Sequence, residues 1–187
     1  VMASGTEAWA MDPVPYLRAQ VDGSPEWASR FELPLKNNSA LLTFLQEGEG
    51  AYGKGHPRFR WTRIVNSDQL KQLWDFNKGG IPQRITVLER GKSGRVLALE
   101  ISGTANNYRR VLRLDGIRRN LRQLPSTLFV VHQLGVGMWQ FDGGGFGHGA
   151  GLSQAGAIDM AQKGWTVEQI FNHYYPGTNY GPLPDFW

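Results

Sequence analysis

The part of this sequence best suited to chemistry is Phe141-Asp142-Gly143-Gly144-Gly145-Phe146-Gly147-His148-Gly149-Ala150-Gly151-Leu152-Ser153-Gln154, in which glycines crowd around a single histidine. Each glycine gives up conformational entropy on folding, so such a run is expected where the backbone takes positive φ angles or comes close to a ligand. The run leads into a helix-like pattern. It therefore aims free backbone N–H groups and the positive end of a helix dipole outward, a natural seat for a carboxylate or a developing negative charge. His148 and Gly149 lie in that seat, with Ser153 and Gln154 at its helical edge. Two plainer roles stand beside this one: a loop hydrogen bond for His148 and a helix N-cap for Ser153.

Other chemistries suggested by glycine-rich text fail on inspection. Gly48-Glu49-Gly50-Ala51-Tyr52-Gly53-Lys54-Gly55 spells a nucleotide-loop pattern, but Gly55 stands where a magnesium-holding hydroxyl is needed, and no apolar strand precedes it. In the Gly143 to Gly151 run, His148 and Ala150 occupy the third glycine of a dinucleotide fingerprint, and no βαβ unit surrounds it. No cofactor is expected. The chain has no cysteine, which excludes disulfides and thiolate metal sites. His132, His148 and His173 are spaced too far apart for a local zinc signature, so no metal is expected. Among the acids, Asp142 is the best placed for proton transfer, directly before the glycine run, and remains a weak catalytic candidate.

These residues must be positioned by elements that the sequence also suggests. Ser67-Asp68 reads as the N-cap of a helix over 69–76, with Leu70, Leu73 and Trp74 on one face. A short helix fits within 35–46, and Phe59-Arg60-Trp61-Thr62 reads as a strand. Two alternating runs, 84–90 and 95–101, flank the turn Gly91-Lys92-Ser93-Gly94 and predict a hairpin. A third strand is expected over 108–112, then a capped helical turn from Asp115. A second hairpin, 126–132 with 136–141, is expected to turn at Leu134-Gly135. The period then changes to that of helices, one ending at Gly164 and one opened by the capping box Thr166-x-x-Gln169. Strands first and helices last predict an α+β fold: an antiparallel sheet built from hairpins, with short C-terminal helices packed beside it. The chain reads as a single domain over 1–187, with 1–35 as an irregular wrap, 84–142 as sheet, and 143–178 as loop and helices.

One motif carries a resemblance. Gly147-His148-Gly149-Ala150-Gly151-Leu152-Ser153-Gln154-Ala155-Gly156-Ala157, followed by His173-Tyr174-Tyr175-Pro176-Gly177-Thr178, resembles the C-terminal signature of the SpoIID/LytB family. Ala150 and Leu152 depart from it conservatively. Ser126-Thr127-x-Phe129 and Pro15-Tyr16-Leu17 look like further family segments. The resemblance implies a bacterial, envelope-facing protein acting on peptidoglycan: sporulation-type members are lytic transglycosylases, and others were named as amidase enhancers. It implies that His148, Gly149, Ser153, Gln154, Tyr174, Tyr175, Arg118 and Arg119 contact glycan strands, and that the catalytic Glu lies in a segment absent from this sequence. The chain is thus expected to be the C-terminal part of a SpoIID-like domain, truncated at its N-terminus and inactive alone, with any signal or anchor upstream. Core packing is the competing role for the two tyrosines.

Composition fits this setting. Arg109, Arg110, Arg113, Arg118, Arg119 and Arg122 crowd into one stretch of a chain whose net charge is +4, favouring an acidic partner. Denuded glycan strands, which keep a lactyl carboxylate on each muramic acid, fit that requirement, and a cell-wall amidase is a further possible partner. No RNA-binding aromatic motif accompanies the arginines, so no nucleic-acid partner is expected. Charged residues interrupt every apolar run, so no membrane span is expected.

Overall fold

The computed structural model describes residues 1–70, 72–105, 107–121 and 124–182. Two short helices open the chain, α1 (Gly5–Trp9) and α2 (Pro25–Ala28), followed by α3 (Asn38–Gln46). Strand β1 (Arg60–Asn66) leads through a 3-10 turn to α4 (Phe76–Gly79). Next come β2 (Pro82–Arg90), β3 (Val96–Gly103), β4 (Arg109–Arg113) and α5 (Asp115–Asn120). The chain then runs through β5 (Phe129–Gly135), β6 (Met138–Gly144), α6 (Gln154–Gln162) and α7 (Val167–Tyr174).

The α+β class holds, with the strands divided between two three-stranded antiparallel sheets, β1-β6-β5 and β2-β3-β4. Both predicted hairpins are present as β2–β3 and β5–β6. Strand alternation sends Trp61, Val65, Phe129, Trp139 and Phe141 to one face of the first sheet. There they share an apolar core with Ile85, Leu99, Ile101 and Leu112 of the second sheet. The opposite face of β5 presents Val130 to Leu41 and Phe44 of α3.

Several expected boundaries move. The helix expected over 69–76 is split into the 3-10 turn Ser67–Leu70 and α4, and Lys71 lies outside the described residues. Two competing caps break it. Asn66 and Gln69 exchange backbone-to-side-chain hydrogen bonds at the start, and Asp75 accepts from the amides of Asn77 and Lys78. Leu70 and Trp74 still reach the core, so the apolar face was read correctly although the helix was not. The second hairpin turns at Val136-Gly137 rather than Leu134-Gly135, because Gly137 takes φ +68° and its carbonyl accepts from the Ser67 amide at 2.8 Å. Helix α5 begins at Asp115 without a side-chain cap. Residues 1–35 hold two capped helical turns and bury Met2, Ala3, Ala8, Trp27 and Leu35.

Candidate functional site

The glycine run leaves the end of β6 and is pinned from two sides before it reaches α6. The Gly145 amide donates to Phe59 and its carbonyl accepts from the Trp61 indole at 3.0 Å. On the other side Ser126 donates to Gly144 at 2.7 Å, and the Gly147 amide donates to Pro125. This gives Ser126 its place in the motif: the hydroxyl is buried because it ties the strand end to the loop. Ser153 then caps α6, accepting from the Gly156 amide, as expected for an N-cap.

Gly149 and Gly156 show why the signature needs glycine. Gly149 has φ +80°, and a Cβ there would stand 2.0 Å from the Arg95 guanidinium. Gly156 is helical, but a Cβ would stand 2.0 Å from the Tyr174 hydroxyl. The two tyrosines of His173-Tyr174-Tyr175 therefore bracket the loop. Tyr175 accepts from the Leu152 amide at 3.1 Å, and Tyr174 points its hydroxyl toward Asp22 at 3.4 Å. Tyr174 is 0% exposed, so it shapes the loop from inside the core. Burial, and then the Asp22 charge, push its phenol far above the usual range.

Around the loop lies a cleft of about 500 Å³. His148, Gly149, Ser153, Gln154 and Arg118 line it, together with Asp22, Arg58, Arg95 and Phe146. The start of the chain contributes Val1, Met2 and Asp22 to its lining and packs against the loop. The Ala3 amide donates to the Gly149 carbonyl at 2.9 Å, Ala3 and Ala8 pack on Ala150, and Trp9 packs on His148 with ring centroids 4.6 Å apart. Phe146 is 57% exposed beneath the Arg58 guanidinium, and Trp9 is 49% exposed.

His148 Nδ1 accepts from the Ala150 amide at 3.2 Å, which leaves the ring proton on Nε2. Partial burial, and then the charge of Arg95, hold the imidazole below its usual pKa. His148 is thus a neutral hydrogen-bond donor at pH 7. Asp22, which lines the cleft, is held by His173 Nε2 at 3.0 Å as well as by Tyr174 and is thus firmly positioned.

The remaining predicted residues lie elsewhere. Asp142 does not line the cleft: strand alternation places it on the outer face of β6, where Thr62 and Gln140 donate to its carboxylate at 2.6 and 2.8 Å. Arg118 and Arg119 both pair with Asp115, but only Arg118 lines the cleft. Arg122 lies outside the described residues. Among the described residues no group of three or more His, Asp or Glu side chains is placed to hold a metal, and no helix is long and apolar enough to cross a membrane.

Glu7, Trp9, Asp22 and Arg95 escaped the sequence reading. For Glu7 a local signal existed, since Ser4-x-x-Glu7 is a capping box, and it forms one here. Its carboxylate also accepts from the amide and hydroxyl of Ser93 in the β2–β3 turn, fixing the first helix on the sheet. Arg95 carried only the signal of a charge at the start of an otherwise apolar strand.

Comparison with known proteins adds an independent line. The family described as a domain of unknown function, DUF8618, matches residues 3–151. Stage II sporulation protein D of Bacillus subtilis (strain 168) is 59% identical over 143 residues, which are 75% of this chain and 38% of that protein. Stage II sporulation protein D of Bacillus amyloliquefaciens is 42% identical over 155 residues, 79% of this chain and 41% of its own. The chain therefore spans about 40% of the length of these curated relatives.

Proposed function

From the premise that this chain belongs to the DUF8618 family and is homologous to stage II sporulation protein D, we propose that its cleft binds the glycan strands of bacterial peptidoglycan. The supporting observation is the composition of the cleft: guanidinium groups and a neutral histidine donor around a glycine-rich backbone, with two exposed aromatic rings beside them. Sugars present apolar faces to such rings and hydroxyls to such donors. His148, Gly149, Ser153 and Gln154 form the floor that positions the sugar, and Arg118 adds positive charge. Tyr175 holds the floor in place through Leu152, and Arg119 extends the basic surface outside the cleft. The setting that follows is the cell envelope, outside the cytoplasm.

In the full-length protein the reading extends to lytic transglycosylase cleavage of denuded strands. That reaction needs a carboxylic acid to protonate the glycosidic oxygen and then, as carboxylate, to accept the proton of the muramic 6-hydroxyl. Asp22 is the one carboxylate among the described residues lining the cleft, and it is committed to His173 and Tyr174. This favours a wall that binds and orients while the acid comes from another part of the protein. His148, neutral and proton-bearing on Nε2, donates to the sugar and does not serve as the acid.

The same commitment of Asp22 favours a second reading, a non-catalytic wall module that recruits or enhances an N-acetylmuramoyl-L-alanine amidase. Digestion of denuded glycan by the full-length protein separates the two. Anhydro-muramic products are expected on the first reading, and saturable binding without product on the second. Absence of both binding and product would overturn the glycan assignment.

A further inference from the structure

Among the described residues, Arg60, Arg90 and Arg95 are drawn into the interior, and they differ in one respect. Arg60 is surrounded by carbonyls at the end of α3, donating to Phe44, Leu45 and Glu47 at 2.6 to 3.0 Å. Arg90 donates to the carbonyls of Gly94 and Phe129 and to the side chain of Asn38. Arg95, at the cleft and only 4% exposed, has no acceptor for Nε or Nη1 among the described residues. Its single bond is a long one, Nη2 to the Val1 carbonyl at 3.4 Å. A buried cation without acceptors is among the costlier arrangements in a protein, so a partner that arrives with the ligand would relieve it.

The neighbouring charges identify that partner. Glu7 is the acid that acts on Arg95, but both its oxygens are occupied, one by Ser93 and the other by Ser4. Arg118 is already paired with Asp115. Glu7 offsets the Arg95 charge from a distance, but Nε and Nη1 remain without an acceptor among the described residues, on a planar fork whose geometry matches a carboxylate. Burial lowers its pKa to about 10, which leaves it charged at neutral pH.

Resting on the glycan reading above, we infer that Arg95 is the specificity residue of the cleft, reading the carboxylate of an acidic sugar such as the lactyl group of muramic acid. Gly149 lies directly on the guanidinium without a side chain, and both residues line the cleft, so the carboxylate reaches the free N–H groups when the Arg95 side chain turns toward the cleft past the pinned loop. The neutral sugar contacts fall to His148 and the aromatics, so acidic and neutral rings are told apart by one residue.

The test is calorimetric titration of the chain with a denuded tetrasaccharide of alternating N-acetylglucosamine and N-acetylmuramic acid, and with the same sugar after its lactyl carboxylates are reduced to alcohols. Wild type is expected to bind the native sugar about tenfold more tightly, roughly the value of one charge-assisted pair. Arg95→Gln is expected to erase that difference while leaving affinity for the reduced sugar unchanged, and Arg110→Gln, on the surface of β4, to preserve it. Equal affinity of wild type for both sugars would overturn the inference and leave the glycan reading standing, whereas binding of neither would remove both. Should Arg95→Gln fail to fold, the Arg95 Nε–H resonance of wild type decides: a shift with the native sugar only supports the inference, and the same shift with both overturns it.

Discussion

The two walls of the cleft were built by different kinds of sequence. One, Gly145 to Gly156, is a dense local motif in which Gly149, Gly151 and Gly156 answer to identifiable neighbours, Arg95, Tyr175 and Tyr174. The other, Met2 to Asp22, has little periodicity, yet supplies Ala3 against Gly149, Trp9 against His148, and Asp22 against Tyr174 and His173. The contrast teaches that a motif marks the part of a site whose backbone is constrained. Its complement is constrained only by shape and can be written in ordinary residues.

The largest effect is expected where the motif has no tolerance. Gly149→Val places a β-branched side chain at φ +80° and against the Arg95 guanidinium. It should lower stability by about 2 to 4 kcal/mol and abolish detectable glycan binding. Urea denaturation and calorimetry would check both, and a stable variant that still binds would break the claim that this wall is rigid.

A smaller effect tests whether the two ends of the signature form one unit. Gly156→Ala should cost about 1 to 3 kcal/mol, because its new methyl group meets the Tyr174 hydroxyl. Tyr174→Phe removes that hydroxyl, so the double variant should recover at least half of the loss. Additive losses in the denaturation cycle would show that the two residues are not coupled.

The smallest effect probes the other wall. His148 is held below its usual pKa first by burial, so its imidazole should titrate below about 6.5 by NMR. Because the folded value is depressed, the stability linked to this group is present above the unfolded value and is lost as pH falls through the folded one. Trp9→Ala exposes the ring and should move the midpoint upward, with overall stability changed by less than about 0.5 kcal/mol because Trp9 is half exposed. An unmoved midpoint would mean that the first wall does not shape the environment of His148.

Much of the scaffold was legible because it rests on local rules. Alternation at 84–90 and 95–101 around a glycine turn was sufficient for the first hairpin, and Thr166-x-x-Gln169 for the last helix. Where two local signals competed, tertiary contact chose between them. Gly137 became the turn because Ser67 donates to its carbonyl, and Asp75 took over as a cap and ended the expected helix early. His148, Gly149, Ser153 and Gln154, expected from their motif to contact glycan, line one cleft. Tyr174, expected from the resemblance, lies in the core, and Asp142, singled out for its place before the glycine run, lies on the outer sheet face.

Sequence by itself therefore determined the membership, the α+β class and the glycine loop, because each depends on residue type at short spacing. Only the tertiary structure decided what the loop faces. Trp9, Asp22 and Arg95 are far from it along the chain, and their roles arise from burial and distance. Arg95 shows the reason most clearly: in sequence it is one basic residue among 20, and only folding deprives it of acceptors.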